Sequence, residues 1–163
     1  MEEIARMQEN LLLIRRAVGW TAEAFGEKIG VTRQTINNIE SGRNKLTKTQ
    51  YIAMRSVLDA EIFQKPQDTK MLRVLLDLLV DHPEKYSQKD RAVLMAKANM
   101  LVPSILAGTT SRADVSKEWM LVAKTIAGVA SVLAPLSAGF VLANTWLVKS
   151  ITDGKGNSKQ RRG

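Results

Sequence analysis

An all-α fold is predicted, and three features of the sequence predict it. Apolar residues near the start recur at helical spacing: Ile4, Met7, Leu11, Ile14 and Val18 are 3, 4, 3 and 4 apart, which keeps one stripe facing inward. Residues that start helices precede one run after another, at Thr21, Thr32, Thr47 and Ser87. The 163 residues are 45% apolar but only 5% aromatic, with few alternating β-branched runs, a mixture that favours helices over strands.

The first helix is expected over residues 2–18, ended by Gly19. Thr21 caps a second, with Glu23 favourable in its first turn, Phe25 and Ile29 on its inner face and Gly30 as its stop. Thr32 caps a third helix that runs to about Glu40 and closes at Gly42. Thr47 with Gln50 reads as a capping box opening a fourth, whose apolar positions are Ile52, Met54, Val57 and Leu58. Polar residues around Pro66 (64–69) mark a turn or linker. A strongly apolar helix follows, from Met71 through Val80, and stops at His82 and Pro83. Ser87 and Asp90 open a helix over 88–106, interrupted or kinked near Pro103, and 108–112 is a loop. Four regions result: 1–64, a helical middle at 65–112, an apolar segment at 113–152 and a disordered basic tail at 153–163.

Net charge is +8, unevenly placed. Residues 1–60 hold nine Lys/Arg against seven Asp/Glu, so the first region is not broadly basic. Within it, Lys28, Arg33, Arg43, Lys45 and Lys48 are opposed only by Glu40. A concentrated patch on a nearly neutral region suggests a directed anionic partner.

Two short helices joined by the tight turn Gly30-Val31-Thr32 make a helix-turn-helix. At 100° per residue, Arg33, Gln34, Asn37, Asn38 and Ser41 share one side of the third helix, and Ile36 and Ile39 share the other. Polar residues on a lone helix are ordinarily a solvated face. The tight turn, the paired caps and the flanking cations point instead to a partner made of donors and acceptors. Base edges in a DNA major groove are such a partner: Arg bonds guanine O6 and N7 together, and Asn or Gln bonds adenine N6 and N7. Arg33, Gln34, Asn37 and Asn38 are the base-reading candidates, with Arg43, Lys45 and Lys48 placed to hold phosphates.

The run GWTAEAFGEKIGVTRQTINNIESGRN resembles the helix-turn-helix domain of the lambda-repressor-like, or XRE, family of bacterial and phage regulators, over residues 11–58. The resemblance implies an N-terminal helix-turn-helix bundle in which Arg33, Gln34 and Asn38 read bases and Thr35, Ser41 and Arg43 lie near the phosphate backbone. It further implies a partly buried structural ion pair between Arg15 and Glu40. One departure stands out. The family usually places Gln at the first position of the second helix, whereas this chain has Ala22, so one expected backbone contact is lost.

A single module of this size buries too little DNA surface for operator affinity, so pairing as a homodimer is expected. The stripe from Met71 to Val80 serves equally as a dimer face or as part of its own subunit's core. Residues 125–148 carry no charge and exceed the roughly 20 residues needed to cross a bilayer. Trp119 and Trp146 sit near the ends as interface anchors would, and Gly128 offers a small face for close contact. Pro135 could divide the stretch, and the five cations from Lys149 onward oppose the positive-inside bias. A buried helical hairpin and membrane association both stay open.

The chain begins acidic and lacks an apolar leader core, so no secretory signal is expected and a cytoplasmic location is, with membrane association of 125–148 as the alternative. The absence of Cys rules out disulfides and thiolate ligands. His82, with Asp77 and Asp81 near in sequence, makes a weak metal set and reads as a cation at a helix C-terminus. Neither a phosphate-binding glycine loop nor a catalytic triad is evident, so no enzyme activity, cofactor or small-molecule ligand is expected. The sequence reads as a DNA-binding transcriptional regulator; the competing reading is a membrane-associated or scaffold protein that uses the module for protein contacts.

Overall fold

Local signals set the first four helices. In the computed structural model, which describes residues 2–133, α1 spans Glu2–Val18, α2 Ala22–Ile29, α3 Arg33–Glu40 and α4 Lys48–Gln64. Thr21 and Thr32 each accept a backbone N–H from three residues on, and Thr47 and Gln50 form the reciprocal capping box. Met7, Leu11, Ile14 and Val18 are buried on α1, so the stripe at spacings of 4, 3 and 4 faces the core.

Beyond Gln64 the chain turns and forms α5, Lys70–Leu76, which passes into a π-helical turn, Asp77–Asp81. The wider turn is closed by the His82 N–H donating to the Asp77 carbonyl at 2.8 Å. It turns the Asp77 carboxylate inward, where three groups meet it: the Tyr86 hydroxyl at 2.7 Å, His82 Nδ1 at 2.6 Å and Lys85 Nζ at 3.4 Å. Burial and the adjoining Asp77 push the Tyr86 hydroxyl well above its ordinary range.

Next come α6, Gln88–Leu106, α7, Arg112–Ala123, and the short α8, Val129–Val132. Pro103 lies within α6, which runs through it. Ser87 and Ser111 cap α6 and α7 through the N–H of Asp90 and Asp114. No strand occurs among the described residues.

α1 is the hub of this arrangement. It packs against α3 and α4 on one side and against α5, the π-helical turn and α6 on the other. Arg6 Nε donates to the Val80 carbonyl at 2.8 Å, and Arg112 Nη1 donates to the Val18 carbonyl at 3.0 Å. A second charged set, largely buried, joins α4 to the π-helical turn: Arg55 meets Asp81 at 2.6 and 3.1 Å, with Asp59 at 3.5 Å. Burial works against the Arg55 charge, but the carboxylates of Asp81 and Asp59 outweigh it and hold the guanidinium ionised.

Three readings that the sequence left open are narrowed by the structure. The Met71–Val80 stripe is not an open dimer face: Met71, Leu72, Leu75, Leu78 and Val80 are buried in their own chain, because both flanks of this helix are covered, by α1 and by α7. Trp119 is not a membrane-interface anchor, since it is fully buried among the described helices. Residues 125–133 open the stretch read either as a buried hairpin or as a membrane segment. They make a turn and α8, with Ile126 and Val129 buried and Gly128 set against the Tyr86 ring, where a Cβ would come within 3.1 Å. Among the described residues no helix is long and apolar enough to cross a membrane. Pro135, Trp146, the remainder of the uncharged segment and the basic tail lie outside the described residues.

Candidate nucleic-acid interface

The turn between α2 and α3 is held by close backbone packing. Gly30 adopts the left-handed conformation, φ +76°, and the Val31 N–H reaches back to the Gly26 carbonyl at 2.9 Å. Gly26 is buried where a Cβ would stand 2.6 Å from the Val31 carbonyl oxygen. Any side chain there would push the turn off α2.

On α3, Ile36 and Ile39 are fully buried, and they fix which side faces out. Arg33 and Gln34 are exposed, and Asn37 and Asn38 are partly so. The Gln34 amide donates to Asn38 Oδ1 at 2.9 Å, so two of the candidate base readers are pre-aligned one turn apart. Thr35 pairs its hydroxyl with that of Thr32 at 3.0 Å, and the Ser41 hydroxyl donates to the Asn38 carbonyl at 3.2 Å.

The end of α3 is tied to the hub. Arg15 Nε donates to Glu40 Oε1 at 2.5 Å and Nη2 to Oε2 at 3.1 Å, a bidentate pair with both side chains less than a tenth exposed. Arg15 Nη1 adds a bond to the Trp20 carbonyl at 2.8 Å, so one guanidinium fixes α1, the α1–α2 turn and α3 together.

Gln8, which sequence reasoning missed, holds the loop that follows. Its amide donates to the Ile39 carbonyl at 3.0 Å and the Asn44 carbonyl at 2.7 Å, and its Oε1 accepts from the Leu46 N–H at 3.0 Å. The loop carries Arg43 and Lys45 and leads into Lys48 at the start of α4; all three are exposed. With Arg33 they form no salt bridge among the described residues, whereas Arg6, Arg15, Arg55, Lys65 and Arg112 are each paired with a carboxylate. Lys28 stands 4.6 Å over the Trp20 ring. A polar slot in the sequence, flanked by no other polar residue of α1 with a known task, gave Gln8 no signal beyond its place beside the apolar stripe.

Ala22 is buried. Its methyl group offers no hydrogen-bond donor or acceptor at the start of α2.

The structure holds a cleft of about 500 Å³ elsewhere, lined by Val18, Trp20, Lys65, Ile105 and the paired Glu61 and Arg112. It is not at the α3 surface, and that is consistent with groove reading: a helix that inserts into DNA presents a convex edge and encloses nothing. His82, Asp77 and Asp81 do not converge, since Asp81 is taken by Arg55 and Asp77 by His82, Lys85 and Tyr86. No grouping of three metal-binding side chains occurs among the described residues.

An exposed polar helix edge, a tight preceding turn and exposed cations in the loop that follows make up a helix-turn-helix module. Residues 11–63, about a third of the chain, match the family model described as helix-turn-helix, of the XRE or lambda-repressor-like type. Comparison with curated proteins and with solved structures returned no match.

Proposed function

We propose that the chain is a sequence-specific transcriptional regulator that reads the DNA major groove with α3 and acts as a pair. The observation that carries this reading is the division of α3: Ile36 and Ile39 are buried while Arg33 and Gln34 stand exposed, followed by Arg43, Lys45 and Lys48, which are exposed and, among the described residues, form no salt bridge. Arg33, Gln34, Asn37 and Asn38 read base edges. Thr35, Ser41, Arg43, Lys45 and Lys48 contact phosphates and set the register. Occupancy of the site excludes or recruits polymerase, in the cytoplasm where the nucleoid lies.

The test is selection of bound duplexes from a random pool, followed by salt titration on the winner. A single preferred site is expected, with affinity falling steeply as salt rises. Arg33→Ala or Gln34→Ala should relax selectivity at one base pair each, costing about 1–3 kcal/mol against the preferred base. Lys45→Ala should weaken binding to all sequences alike and shrink the salt slope by about 1. Enrichment of no site, or unchanged selection by both α3 variants, defeats the reading.

A further inference from the structure

The outward side of α6 is apolar and has no partner within the described chain. Leu94, Ala98 and Val102 face inward and are buried, since α6 packs on α1 and α7. Between Ala92 and Ala107 the helix carries one charge, Lys97, which is turned aside toward Glu118 of α7 at 3.9 Å. A helix that is apolar all round belongs in an interior. Here the outer half is open: Val93 is 41% exposed and Met100 65%. Leu121 of α7, one turn beyond Glu118, is 58% exposed.

We infer that this face docks a second copy of the chain, α6 against α6 across a two-fold axis near Met100. Val93, Ala96, Met100, Pro103 and Ala107 recur at spacings of 3, 4, 3 and 4, the seam of a packed helix pair. With the two-fold axis perpendicular to the helices the pair runs antiparallel, so large Val93 falls opposite small Ala107 and Met100 meets its own equivalent. Charge favours a copy as well. In a two-fold pair each patch meets itself, so a charged patch repels itself, and this face of a chain with net charge +8 has none along its centre. Lys89, at the N-terminal end of the same side, falls toward the carbonyl end of the other α6, where a cation is favoured. For the need of two copies, the inference rests on the groove-reading function proposed above.

The experiment is sedimentation equilibrium of the full chain without DNA. One helix pair is smaller than the ~800 Å² per partner of a standard interface, so a dissociation constant on the order of micromolar is expected. Met100→Lys should raise it roughly tenfold or more, with helix content unchanged because Met100 is exposed. The chain has no Cys, so Met100→Cys places a single thiol at the axis. Under mild oxidation it should form a linked dimer faster than Glu27→Cys on the exposed side of α2. A monomer throughout the concentration range, or linking no faster at 100 than at 27, overturns the inference; so does a face occupied by residues 134–148 of the same chain or by lipid, since both leave Met100→Cys unlinked. Arg33→Ala must stay dimeric. A dimer without duplex selectivity sinks the groove-reading function alone, and a monomer that still selects a site sinks this inference and the pairing while leaving the groove reading by α3 intact.

Discussion

A single amide ties the cation-bearing loop to α1. Gln8→Ala leaves the Ile39 and Asn44 carbonyls and the Leu46 N–H without that partner, and should lower unfolding free energy by about 1–3 kcal/mol. Duplex binding should weaken equally at every sequence, because the loop positions and does not read. Chemical denaturation and binding to two unrelated duplexes check both. Asp59 makes a second prediction at this scale. Its Oδ2 is buried without a hydrogen bond, and burial, partly offset by Arg55, raises its carboxyl above the ordinary 3.8. A folded value above the unfolded one means protonation favours the fold. That contribution is full below the unfolded value and lost as pH rises through the folded one. Asp59→Asn should therefore be more stable than the parent at neutral pH, with the gap closing as pH falls toward 4. Thermal melts across that range decide it. Nothing in the sequence sets Arg55 and Asp59 apart from any Arg and Asp one turn apart on a helix. They are buried because the π-helical turn, with Asp81, lies over α4, and no local pattern announces which second face of a helix a distant element will cover.

Helices whose boundaries are set by their own side chains were legible, and α2 to α4 are of that kind: each cap bonds three residues away, so sequence alone places it. The same holds for α6, opened by Ser87. By contrast, α7 was read only as part of an apolar helical segment over 113–152, without bounds of its own, although Ser111 and Asp114 signal its start in the way Ser87 and Asp90 do. The π-helical turn was not readable at all. It is stabilised by what Asp77 meets, and His82, Lys85 and Tyr86 lie beyond the helix that contains it. The α2–α3 turn yields a prediction about order of damage. Gly26→Ala would drive a methyl into backbone at Val31 and Thr32 and should cost about 3 kcal/mol. Gly30→Ala has open space and only its left-handed conformation to pay for, about 1 kcal/mol. Denaturation midpoints should rank parent, Gly30→Ala, then Gly26→Ala, and duplex binding should follow the same order.

For the molecule as a whole, Arg112 matters most. It binds the Val18 carbonyl at the end of α1 and Glu61 at 2.8 Å near the end of α4, so α7 begins clasped to both. Burial disfavours the Glu61 charge, but Arg112 prevails and holds that carboxyl below its ordinary range. Arg112→Ala should lower stability by about 2 kcal/mol at neutral pH, with faster amide exchange at the α1 C-terminus. Most of the part lost with Glu61 should disappear in acid, where that carboxylate protonates in any case. The candidate interface was legible because it is a surface, displayed by one helix and its neighbours. The middle region was not: whether the Met71–Val80 stripe faced a copy or its own chain depended on α1 having a second flank to offer.

That second flank has a practical meaning for anyone who would handle the DNA reader alone. A fragment stopped at Gln64 keeps every group proposed to meet a duplex, yet it strips α1 of Val80, α5 and α6 and leaves a greasy side bare to water. Such a fragment should clump at concentrations where the longer chain stays clear, and light scattering would register the difference before any footprint did.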